Sequence, residues 1–166
     1  MELADVFARH QGELFRYAAR YTGDADLAED VVQDTFVRLA ERPPRRDDQL
    51  RGWLFRVATT IAIDAMRSAK RHIALVEATP EQVPFAGAAE DPAASIEREE
   101  LRRKVRQGLA QLNDKERAVL LMREEGFAHR EIAEAVGTTT GSIGTMYARA
   151  LGKLAQRLDL DREDVP

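Results

Sequence analysis

The chain has 166 residues, 44% of them hydrophobic and 33% charged, with no cysteine and a formal net charge of −4. That length admits one domain or two small ones with packed cores, and the lack of cysteine excludes disulfides, thiolate zinc sites and a thiol redox sensor on this chain. No apolar run approaches the roughly 18 to 20 residues that span a bilayer, and the opening MELADVFARH lacks the basic-then-apolar order of a signal peptide, so a cytoplasmic protein without membrane insertion is expected.

Three long helices are legible in the first 72 residues. The first runs from about Leu3 to Tyr21 and stops at Thr22-Gly23; the second starts at Asp24 and ends before Pro43-Pro44; the third covers about Leu50 to His72. In the second helix Asp30, Gln33 and Asp34 fall at i, i+3 and i+4 and share one face, while Leu27, Val31, Phe36 and Leu39 mostly turn elsewhere. The result is an acidic and amide patch, or simply a solvated face.

The third helix is sharper. At 100° per residue Leu54, Val57, Ala58, Ile61, Ala65 and Ala69 form a buried stripe, and Trp53, Arg56, Thr60, Arg67, Lys70 and Arg71 gather opposite it. Cations with an aromatic at one end suit single-stranded nucleic acid, where Arg and Lys follow phosphates and a ring stacks on an unpaired base. The plainer alternatives are a half-buried packing role for Trp53 and interaction of the terminal cations with the helix dipole. Asp64, on a mixed face, is expected to pair with a nearby cation such as Arg67 at i+3.

Residues 73–93 are read as a flexible acidic linker. Residues 73–96 contain Pro80, Pro84 and Pro92, no Lys or Arg, and Glu77, Glu81, Glu90 and Asp91. Fully extended, such a stretch reaches roughly 80 Å. Residues 1–72 hold 12 basic and 12 acidic residues and residues 97–166 hold 13 of each, so the whole charge excess lies in this strap. It is either a solvated tether or a mimic of a nucleic-acid backbone for a basic channel.

A second module, residues 94–166, carries helices at about Ala94 to Leu112, Lys115 to Glu125, His129 to Val136 and Thr140 to Arg157. Its last two read as a helix-turn-helix, a DNA-reading unit. Ile132, Ala133 and Val136 line the first helix, Gly137 supplies the turn, and Ile143, Tyr147, Ala150, Leu151 and Leu154 give the second a core stripe. A plain helical hairpin is the alternative. Toward DNA the wheel leaves Thr139, Thr140, Ser142, Thr145, Arg149 and Lys153, with Arg130 as a phosphate contact. Gly144 and Gly152 each cost roughly 1 kcal/mol of helix propensity against Ala, so this helix is expected to order fully on docking. Two neutral modules should bind duplex DNA poorly alone, because affinity comes largely from phosphate neutralisation; a larger basic partner is implied.

The order LAEDVVQDTFVRLAERPP, LRGWLFRVATTIAIDAMRSAKRH, a linker, and LNDKERAVLLMREEGFAHREIAEAVGTTTGSIGTMYARALGKL resembles an extracytoplasmic-function sigma factor, the minimal two-domain specificity subunit of bacterial RNA polymerase. The resemblance implies an all-α fold of two small helical domains, a domain 2 bundle and a domain 4 helix-turn-helix. It implies that Asp30, Gln33 and Asp34 dock on the β′ clamp of core polymerase and that the face from Trp53 to Arg71 recognises the −10 element and holds the melted strand. The helix-turn-helix is then expected to read the −35 element beside the β flap, with the linker threading the active-site and RNA-exit region. Promoter DNA and an anti-sigma factor are the further partners implied.

Two departures from the family pattern stand out. Thr60 replaces a frequent asparagine, and Gly141-Ser142-Ile143-Gly144-Thr145-Met146 lacks two cations usual in the recognition helix, which predicts unusual or weak −35 readout. The competing function is a free-standing helix-turn-helix regulator whose first module dimerises or senses a ligand. Catalysis is not expected: His10, His72 and His129 lie in separate segments, and there is no His-Glu-x-x-His or phosphate-loop pattern. Neither a cofactor nor a metal is expected.

Overall fold

In the computed structural model, residues 2–73 and 92–158 are described, and among them every regular element is helical. The order is α1 (Leu3–Thr22), α2 (Ala25–Glu41), a 3-10 turn (Asp47–Gln49), α3 (Leu50–Ile73), α4 (Pro92–Gln111), α5 (Asp114–Glu124), α6 (His129–Val136) and α7 (Thr140–Arg157). The boundaries follow local chemistry. Asp24 starts α2 by accepting hydrogen bonds from the N–H groups of Asp26 and Leu27. Asn113 starts α5 with a reciprocal capping box, its side chain accepting from Glu116 N while the Glu116 carboxylate accepts from Asn113 N. Gly137, at φ 71°, ends α6 in the left-handed region, and Ala133 O accepts from both Gly137 N and Thr138 N.

The expected linker is shorter at both edges than its composition suggests. Ile73 belongs to α3, and Pro92 opens α4, where its missing N–H would have no intrahelical partner in any case. The heart of that segment lies outside the described residues. Among the described residues no helix is long and apolar enough to cross a membrane.

The N-terminal module packs α1, α2 and α3 around Leu14, Tyr17, Ala18, Val31, Phe36, Leu54, Ala58 and Ile61. The C-terminal module packs α4 to α7 around Leu109, Val119, Met122, Ile132, Ile143 and Ala150. These two cores are continuous. Helix α3 carries a second buried stripe beside the predicted one: Phe55, Thr59 and Ala62 are buried and Met66 is half-buried. Phe55 lies between Tyr17, ring centroids 5.0 Å apart, and Phe127 of the other module, 4.8 Å apart. A polar residue survives in that stripe because Thr59 donates to Phe55 O at 2.7 Å and shares a 2.7 Å hydrogen bond with Tyr17 Oη. In α7, Leu151 is exposed, although the wheel put it in the core; Tyr147 and Leu154 are half-buried.

Two arginines tie the modules together. Arg117 of α5, 2% exposed, donates to Leu109 O (2.9 Å), Leu112 O (3.0 Å) and Ala110 O (3.4 Å) at the end of α4, and to Tyr21 O (3.4 Å) at the end of α1. Arg51 of α3 donates to Glu125 O (3.0 Å) just past α5 and lies 4.2 Å over the Phe127 ring, held in place by Glu13 at 3.1 Å. Hydrogen bonds to a charged group contribute about 1.5–3 kcal/mol each, and an orphaned buried carbonyl costs a similar amount. Arg117→Leu is therefore expected to destabilise the chain by about 3 kcal/mol. Urea unfolding followed by circular dichroism checks this; a midpoint unchanged from wild type would show that Arg117 does not hold the seam.

Candidate nucleic-acid interface

Helix α2 presents Asp30, Gln33 and Asp34 to solvent, and Val37, 55% exposed, sits one turn further on the same face. An open groove of about 700 Å³ runs beside it between α1 and α2, lined by Phe7, Phe15, Arg16, Glu29, Val32 and Gln33. Phe7 is 39% exposed and stacks edge-on against Phe36, centroids 4.8 Å apart. This is a surface with an acidic and amide centre and apolar edges, which suits protein docking better than nucleic acid. Val37 and Phe7 were missed from the sequence because a single apolar residue on a polar face reads as noise.

On α3 the predicted basic stripe exists, but its members differ in availability. Arg56, Thr60, Lys70 and Arg71 are exposed, and Thr60 Oγ1 donates to Arg56 O at 3.1 Å. Trp53 is half-buried against the core. Arg67 is diverted: its Nη2 donates to Asp114 of α5 at 3.0 Å, so it pairs across the seam and not with Asp64. Only the meeting of α3 with α5 brings Asp114 within reach, which no spacing along one helix could reveal.

The helix-turn-helix forms as read. Ile132, Ala133, Ile143 and Ala150 are buried at the crossing, and α7 runs unbroken through Gly144 and Gly152. Thr139, Thr140, Thr145 and Arg149 are exposed on the outer side, and Thr139 Oγ1 shares a 2.7 Å hydrogen bond with Ser142 Oγ. Arg130 is exposed and pairs with Glu134 at 3.4 Å on its own helix. Lys153 is half exposed but is not an unpaired charge. Its ammonium donates to both Glu116 oxygens, at 2.7 and 2.9 Å, tying α7 to the capping box of α5.

That pair sets the charge of Glu116. Burial alone would raise its carboxyl, but the Lys153 hydrogen bonds and the Asn113 N–H outweigh burial and hold it below the ordinary carboxylate range. Burial pushes the Tyr17 and Tyr21 hydroxyls well up, so both remain protonated donors in the core.

The chain matches two family models and several characterised proteins. The family described as Sigma-70 region 2 matches residues 6–72, and Sigma-70 region 4 matches residues 102–154. The chain is 33% identical over 164 residues to the ECF RNA polymerase sigma factor SigL of Mycobacterium tuberculosis, covering 95% of this chain and 90% of that one. It is 31% identical over 157 residues to the RNA polymerase sigma factor CarQ of Myxococcus xanthus, covering 93% and 87%. Among solved structures, the sigma factor RpoE in complex with the anti-sigma factor NepR from Bartonella quintana superposes with TM-score 0.72 at 21% identity, covering 96% of this chain and 98% of that one. CnrH in complex with the cytosolic domain of CnrY gives 0.67 at 25% identity, covering 96% and 88%.

A depressed carboxyl stabilises the fold above its unfolded value and loses that contribution as pH falls through its folded value. Acidification below the ordinary glutamate value of 4.5 is therefore expected to lower the urea midpoint more steeply for wild type than for Glu116→Gln, which keeps the capping box but cannot ionise. Parallel pH curves for the two proteins would remove Glu116–Lys153 from the acid response.

Proposed function

The chain belongs to the extracytoplasmic-function RNA polymerase sigma factors of the sigma-70 family, and on that premise we propose which of its surfaces does what. It is a sigma factor, directing promoter recognition and melting by bacterial RNA polymerase; the free-standing regulator is not favoured by a match that spans both modules in order. Residues 1–72 act as the domain that docks on core polymerase and holds the −10 element. Residues 94–166 act as the domain that reads the −35 element, and the acidic strap between them follows the path of the RNA.

The observation that carries this assignment is the separation of exposed faces by helix. Asp30, Gln33 and Asp34, edged by Val37, face solvent from α2, while Arg56, Thr60, Lys70 and Arg71 face it from α3. A clamp can therefore hold α2 while the melted strand lies along α3. Trp53 supplies a stacking surface at one end, and the cations follow phosphates. Arg67 contributes once its Asp114 partner withdraws. In the recognition helix Thr139, Thr140, Ser142, Thr145 and Arg149 contact the −35 duplex with Arg130 on a phosphate, and Lys153, on the same side as Arg149 but paired with Glu116, borders that face.

The chain carries no catalytic role in this reading; the chemistry is the polymerase's. RpoE and CnrH, whose folds it shares, are each held by an anti-sigma partner, which supports such a partner here, and the family's work on polymerase supports a cytoplasmic location.

Transcription with purified core polymerase tests the docking face. Specific initiation is expected to require the chain and to fall by about tenfold or more in Gln33→Ala/Asp34→Ala, because losing polar contacts of about 1–2 kcal/mol each at a desolvated interface weakens binding by that factor. Initiation at wild-type level in a folded double variant would remove α2 from docking.

The −35 face yields a second expectation. With Gly144 in the recognition helix and Lys153 engaged by Glu116, scrambling the −35 box should change output little. Gly144→Lys is open to solvent, its nearest neighbour being His129 Cε1 at 3.9 Å from a would-be Cβ, so the substitution should make output depend on the −35 sequence. A large loss on scrambling with the wild-type chain would refute weak readout.

A further inference from the structure

Resting on the −35 reading proposed above, we infer that Glu116 of α5 sets how strongly the recognition helix grips duplex DNA, by holding Lys153 on its carboxylate and so withholding one cation from the phosphates.

Helix α7 carries three basic residues, Arg149, Lys153 and Arg157, and no acidic one; its first half, up to Ala148, has no charge at all. Arg149 and Lys153 lie one turn apart on the side that also carries Ser142 and Thr145, so by position alone both would follow a phosphate strand. The acid that meets them comes from another helix. Glu116 Oε1 accepts from Lys153 Nζ at 2.7 Å, and Oε2 accepts both from Lys153 Nζ at 2.9 Å and from Asn113 N at 3.2 Å. Against the cost of burial, the Lys153 hydrogen bonds, the Asn113 N–H and the charge of Arg149 keep this carboxylate ionised.

The two partners are unequally buried, and that decides which of them holds the other. The Lys153 side chain is 53% exposed and the Glu116 side chain 9%. An ammonium that leaves the pair returns to water or meets a phosphate. A carboxylate fixed in a capping box cannot follow it and is left buried without its cation, which is the costly half of breaking such a pair. A phosphate therefore gains Lys153 only by stripping Glu116. Arg130 is the contrasting case: its partner Glu134 is 59% exposed on the same helix, so water replaces the arginine at little cost. With so few cations on α7, one withheld lysine removes a large share of its hold on DNA. If the pair were only a brace between α5 and α7, breaking it would loosen the helix and weaken binding, the opposite sign.

The full chain in complex with core polymerase, given a duplex that carries the −35 box, tests this by fluorescence anisotropy over a salt series. Glu116→Gln keeps an acceptor for Asn113 N. It is expected to tighten binding by about fivefold and to steepen the slope of log affinity against log salt by about 0.9, as one added phosphate contact does. Glu116→Gln/Lys153→Gln, which has the wild-type net charge, should return both readouts to wild type. Glu100→Gln, the same charge change at an exposed position of α4, should leave the slope unmoved. Weaker or unchanged binding in a folded Glu116→Gln variant, a gain that survives the loss of Lys153, or an equal gain from Glu100→Gln overturns the proposal.

If Glu116→Gln does not fold, side-chain magnetic resonance on the wild-type full chain decides. As duplex is added at low salt, the Arg149 guanidinium signal is expected to shift and the Lys153 ammonium signal to stay in place. A shift of both overturns the withholding of Lys153 and leaves the −35 reading standing. A shift of neither removes α7 from DNA, and the −35 reading falls together with the inference.

Discussion

A guanidinium buried where two helices end imposes the arrangement on which the rest of this structure depends. The last turn of α4 and the last turn of α1 both leave carbonyls without intrahelical donors, and burial makes such groups costly. Arg117 satisfies four carbonyls at once, from Leu109, Ala110, Leu112 and Tyr21, and every hydrogen-bond acceptor it uses is a carbonyl or a thioether. Its position fixes α5 against α1. That in turn brings Phe127 to Phe55 and Arg51 to Glu125, and so places α6 beside α3.

The same seam redistributes charge. Each half of the chain is electrically balanced, and the two halves spend several of their charges on each other: Arg67 with Asp114, Arg20 with Glu125, Arg51 on a carbonyl and two rings. Lys153 is spent within its own module on Glu116. Among the exposed surfaces are an acidic and amide face on α2 and a short basic stripe on α3.

Much of the fold was legible because helices are local objects. The ends of α1 and α2, and the whole of α6 and α7, follow from Gly23, Asp24, the Pro43-Pro44 pair and Gly137, whose effects act within one turn. The exposed faces of Asp30, Gln33 and Asp34, and of Arg56, Thr60, Lys70 and Arg71, follow from the 100° period alone. What escaped was the second buried stripe of α3. Phe55, Thr59, Ala62 and Met66 also obey helical spacing, but a stripe that includes a threonine is indistinguishable from a polar edge until a second module covers it.

The sequence by itself determined the helices, their solvent faces, the helix-turn-helix and membership of a two-module family, because each depends on residues within a few positions or on motifs in a fixed order. Only the tertiary structure decided which of the exposed-looking cations are free. Arg67 and Asp114 are 47 positions apart, Arg51 and Glu125 74, and Tyr21 and Arg117 96. Pairings at that range are set by how two apolar cores meet, and helical periodicity carries no information about it.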